Sequence, residues 1–152
     1  MLDIEDDAIP GYEDDFILWL ESQAAFLRTG RLELLDRENL IDELLSMANR
    51  DRRELNRRLE VLIAHLLKCQ FQPDHKTHSW ENTVDEQRRQ IKLIIEDSPS
   101  LRSAVQRNLA GCYQHALRQA IRQTGLPASA FPQQPPFSVE QLLDDDFYPK
   151  PD

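Results

Sequence analysis

Residues 36–71 read DRENLIDELLSMANRDRRELNRRLEVLIAHLLKCQF, and the fold follows from this stretch. It contains neither Gly nor Pro, and its apolar residues return at three- and four-residue spacing, so it predicts one very long helix. At about 1.5 Å per residue such a helix spans roughly 50 Å, longer than a small domain is wide. Its two halves are unequal. Leu40, Ile41, Leu44, Leu45 and Ala48 form one apolar face, and Leu59, Leu62, Ile63, Leu66 and Leu67 form another. Between them residues 49–58 offer one apolar residue, Leu55, while Arg50, Arg53 and Arg57 fall on one side at i, i+3 and i+7. The segment therefore reads as a basic bridge. The alternative is two helices with a break near Asn49, although no Gly or Pro enforces one.

Working outward, residues 1–11 are acidic, end in Pro10-Gly11 and read as a loose arm. A first helix is expected from about Glu13, with Phe16, Trp19, Leu20, Gln23, Ala24 and Leu27 on one face, acids in its first turn, and Gly30 as its stop. Leu32, Leu34 and Leu35 form a connector, and Asp36 caps the long helix. On the other side Pro73 ends that helix and a polar loop follows. Residues 79–97 predict a third helix with Trp80, Val84, Ile91, Ile94 and Ile95 inward. In DSPSL, Ser98 is expected to cap and Pro99 to occupy the first position of a fourth helix. That helix carries Leu101, Val105, Leu109, Cys112, Ala116 and Ala120, and Gly125 closes it. Residues 126–152 hold six of the nine prolines and predict an extended strap, anchored by Phe131 and Phe137. Ser138 and Gln141 match a capping box that opens a short final helix. No strand pattern and no repeat is present. The fold class is all-α: a bundle of about four main helices in a single domain of residues 1–152, with one very long helix and a Pro-rich strap packed on the bundle.

Charge is segregated. Residues 1–45 carry 13 acids and 3 bases, residues 46–125 carry 9 and 14, and residues 126–152 carry 5 and 1, so the net charge of −9 splits into −10, +5 and −4. A basic middle between acidic ends suits intramolecular or intersubunit pairing better than nucleic acid. The basic stripe of residues 50–58 also lacks interleaved aromatics and a helix-turn-helix pattern, and Asp51, Glu54 and Glu60 favour salt-bridging there. Nucleic acid is not the expected partner. No apolar run is long enough to span a membrane, the acidic start is unlike a signal peptide, and two cysteines make no disulfide framework. A cytoplasmic location with reduced thiols is the expectation.

Several runs, LIAHLLKCQFQP, SWENTVDEQRRQI, DSPSL and TGLPASAFPQQPPFSVEQLLDDDFYP, resemble the bacterial domain-of-unknown-function 29 family in order, as does the opening YEDDFILWLESQAAFLRTGRLELLD. The resemblance covers about residues 12–150 and implies a small helical bacterial protein with no assigned activity. His65, Lys68, Pro73, Trp80, Arg88 and the Asp97-Ser98-Pro99 turn match the family pattern. Cys69 stands where an aromatic residue is usual and His75 where a basic one is common, which weighs against chemistry that needs either.

Two constellations carry the chemical possibilities. His65 and Cys69 lie one helical turn apart, and His75 and His78 follow in the loop, so the four would make a tetrahedral zinc site. Their spacing matches no strong zinc pattern; buried Cys69 and solvated loop histidines are the simpler reading, and no cofactor is expected. The second is a pocket of His65, Lys68, Arg88, Arg89 and His115 beside Trp80, formed if the second, third and fourth helices pack side by side. It would bind an anion or do acid–base work at a histidine; the simpler reading is an arginine–carboxylate network with Glu43, Glu86 or Glu96. Gly111, inside the fourth helix, would let a neighbour approach closely. No nucleophile elbow, phosphate loop or His-Glu-x-x-His motif is present. The reading that stands first is a non-catalytic interaction or regulatory protein with a protein partner or self-association, and a metal-dependent or His-based enzyme using the His65/Trp80 region is the alternative.

Overall fold

The computed structural model describes residues 9–151; the acidic arm expected over residues 1–11 lies, except for its last three residues, outside them. The described residues are all-α, with five helices and no strand: α1 Phe16–Thr29, α2 Arg37–Phe71, α3 His78–Asp97, α4 Leu101–Thr124 and α5 Val139–Leu143, joined by single 3₁₀ turns after α1, α2 and α4. Residues 37–71 are helical throughout, so the alternative of two helices separated near Asn49 is not realised. The chain forms two compact units that divide between Asn49 and Arg50.

The first unit is a hairpin of α1 and the N-terminal part of α2. α1 begins at Phe16 rather than about Glu13, with Asp15 as N-cap, its side chain accepting from the Leu18 amide, and Gly30 closes the helix at φ 74°, a left-handed conformation open to glycine without cost. The acids expected in the first turn thus precede the helix. Asp36 caps α2 as its sequence predicts, taking the Asn39 amide at 3.4 Å and the Asn39 side chain at 2.8 Å. The same carboxylate takes the indole N–H of Trp19 at 3.0 Å, and the Asp36 amide donates to Gln23 Oε1 at 2.7 Å. One turn thereby ties both helices.

The second unit packs the remainder of α2 with α3, α4 and the strap. Leu55, Leu59, Leu62, Leu66, Val84, Ile91, Val105 and Tyr113 are fully covered. Burying each such aliphatic side chain contributes about 1.5–3 kcal/mol, so this core decides the unit's stability. Leu55, the lone apolar residue of the basic bridge, is where the core begins. The strap closes it with Phe131, Phe137, Val139 and Leu142. Ser138 and Gln141 make the expected capping box of α5 in both directions.

Two local readings are corrected. Ser98 ends α3 and does not cap α4, which begins at Leu101 after a turn through Pro99 and Ser100. The amides of Leu101 and Arg102 bond the carbonyls of Ser98 and Pro99, so the backbone itself supplies the cap. Gly111 admits no close neighbour: a Cβ there would meet nothing within 4 Å, and the position is exposed.

Candidate functional site

The end of α2 singled out by sequence is built around Lys68. Its stem is buried, and its ammonium lies 4.9 Å from the centre of the Trp80 ring while donating to Gln123 Oε1 at 2.8 Å. A cation on an indole face with one neutral amide partner is held by the ring quadrupole rather than by a counter-ion. Burial pushes its pKa down. One turn earlier, His65 Nδ1 donates to the Val61 carbonyl at 2.9 Å. Burial lowers the His65 pKa, the Val61 bond opposes this, and the charge of Lys68 adds to the lowering.

The other predicted residues do not join them. Arg88 is fully buried and points to α5, where Nε donates to the Leu142 carbonyl at 2.8 Å and Nη2 to Gln141 at 3.2 Å. Its guanidinium also sits 5.5 Å from the Tyr148 ring. Arg89, the next residue, faces water and grips Glu86 at 2.9 and 3.1 Å. His115 is exposed on α4. His75 is exposed, and His78 is fully solvated with Glu81 at 3.9 Å. Cys69 is buried, and burial raises its thiol pKa. Among the described residues no group of three or more His, Cys, Asp or Glu side chains is placed to hold a metal ion. Lys68 is therefore brought onto Trp80, with His65 one turn earlier on the same helix.

Within the basic segment Glu54 pairs with Arg57 of the stripe at 2.6 Å and with neighbouring Arg58 at 2.7 Å.

A different feature stands out in the first unit. Among the described residues, nine of the ten exposed large hydrophobic side chains lie between Phe16 and Met47. On α1 the face read from sequence divides in two. Trp19, Ser22, Gln23 and Phe26 are buried. Ile17, Leu20, Ala24 and Leu27, at i, i+3, i+7 and i+10, make a second stripe, with Ile17 60% and Leu27 55% exposed and Leu20 half-buried. On α2, Ile41, Leu44 and Leu45 are 49%, 63% and 58% exposed, and Ala48 is exposed beside them. The signal for the α1 stripe was present in the spacing of residues 17–27; the competing stripe at residues 19–26 hid it. Scattered surface leucines need no explanation, but a bare apolar stripe on each of two helices of one hairpin does.

Among the described residues no helix is long and apolar enough to cross a membrane. Residues 11–148 match the model of the family described as Domain of unknown function DUF29. No curated protein matches, and no solved structure matches.

Proposed function

We propose a non-catalytic role in protein association for this chain, which belongs to the domain-of-unknown-function DUF29 family. The observation that carries this reading is the segregation of exposed apolar side chains into residues 16–47, against a closed core in residues 50–151. The second unit has the construction of a stable platform, with its buried arginine and lysine matched to carbonyls, an amide and aromatic rings. The hairpin has the construction of a binding element. Its Trp19–Asp36–Gln23 cluster fixes the two helices, so the stripes are presented by a preorganised surface, which lowers the entropic cost of association.

The experiment is size fractionation of the chain expressed in its native host, with detection of this chain in each fraction. The expected result is migration well above its 17.8 kDa, returned to that size by Leu44→Glu with Leu45→Glu and unchanged by His65→Ala. If His65→Ala dissolves the assembly and the hairpin variant does not, the binding element is the end of α2 instead.

A further inference from the structure

We infer that the apolar face of the hairpin is an isologous interface, occupied by the same face of a second copy of this chain. This rests on the association reading above and names its partner. Three observations carry it.

The first is area. The exposed parts of the α1 and α2 stripes, together with Phe16 and Met47, amount to on the order of 800 Å² with their backbone counted, so a partner that covers most of them buries close to what one side of a standard stable interface does. The second is the number of helices. Both helices of the hairpin carry a bare stripe, so one added helix would cover the groove between them and leave the outer edges wet. A second hairpin supplies two helices with matching stripes, and four is the number at which a bundle closes a core. Ala24 and Ala48, among Ile17, Leu27, Ile41 and Leu44, give the alternation of small and large that interdigitation requires.

The third is where charge lies. Residues 9–49 carry nine carboxylates and three arginines, a net of −6, so a second copy brings like net charge to this face and the apolar stripes supply the attraction. A two-fold axis through this face therefore brings apolar surface onto itself, as a self-complementary patch needs. Ions screen the repulsion between the two copies' carboxylates over about 8 Å at physiological salt. Self-association through this face thus tightens as salt rises. A complex held by attraction between this acidic hairpin and a basic partner would loosen.

The test is sedimentation equilibrium of the purified full-length chain over a wide concentration range, at low and physiological salt. The expected result is a reversible monomer–dimer equilibrium, tighter at the higher salt, that Ile41→Glu with Leu45→Glu weakens roughly 100-fold or more by forcing unpaired carboxylates into the interface. Circular dichroism checks that this variant is folded. Mixing it with the Ile41→Lys, Leu45→Lys variant then restores a heterodimer, because an isologous face meets itself. A purified chain that stays monomeric throughout, while the assembly in the native host persists and still depends on the hairpin, overturns the second copy and leaves the association reading standing. A dimer that neither variant affects overturns the interface, and a dimer that opposite charges do not rescue overturns its symmetry.

Discussion

Arg88 Nε donates to the carbonyl oxygen of Leu142 at 2.8 Å, joining the middle of α3 to the last turn of α5. The side chain is fully buried and, among the described residues, has no carboxylate partner; Nη1 is left without any hydrogen bond. A cation is a fitting ligand for the C-terminal carbonyls of a helix, which carry partial negative charge and lack intrahelical donors. Arg88 is thus the staple of the strap. Arg88→Leu strips the Leu142 carbonyl of its donor, leaves Gln141 with the Asp144 amide alone, and is expected to cost roughly 1–3 kcal/mol in urea unfolding. Arg88→Lys recovers only part of this, because an ammonium on a flexible stem lacks the planar, preorganised fork that spans the two carbonyls. A loss below about 0.5 kcal/mol for Arg88→Leu would mean that the strap holds by its aromatic anchors alone.

Asp36 is the corresponding tie in the hairpin. Its pKa is held down first by the Asn39 side chain and also by the Trp19 indole N–H. Asp36→Ala removes the α2 cap and the Trp19 partner together. Expected is a loss of about 1–2 kcal/mol, together with a red shift of Trp19 emission as the indole gains water. Trp80→Phe in the background isolates that emission.

His65 gives the fold a pH dependence whose sign is fixed. Its folded pKa lies below the ordinary 6.5, chiefly because burial disfavours the charged ring. As pH falls through 6.5 the unfolded chain takes up a proton that the folded chain resists, so stability declines between 6.5 and the folded pKa and levels off below it. Urea titrations at stepped pH should show that slope reduced in His65→Gln. An identical slope in both proteins would assign it to other groups.

The two cysteines are expected to be silent. Cys69 and Cys112 are each 3% exposed, and burial raises both thiols, that of Cys112 to about 11. A thiol reagent at neutral pH should label neither until the chain unfolds, with a rate that tracks denaturant. Rapid labelling of Cys69 in native protein would show that its burial is not maintained in solution.

The helices were legible because their periodicity and punctuation agree. Gly30, Gly125, Asp36 and the Ser138–Gln141 box each do locally what their residue type requires. The turn before α4 is not legible in the sequence, because backbone carbonyls of Ser98 and Pro99 take the place of a side-chain cap, and no residue type announces that. The candidate pocket was legible only in part. Lys68 reaches Trp80, but neighbouring Arg88 and Arg89 lie about 100° apart around α3 and so serve a buried strap and the solvent respectively.

Sequence alone determined the all-α class, the helical character of residues 36–71, the segregated charge and the strap, since these follow from local propensity and from period. That those residues form one unbroken helix, only the structure decided. Which apolar stripe is covered was decided by tertiary structure. Leu44 and Leu62 have the same residue type on the same helix, yet one is 63% exposed and the other fully buried. Periodicity records that a face is apolar. Only the number of neighbouring helices decides whether that face is already satisfied, and the hairpin has one helix packed on another where the second unit has three and a strap.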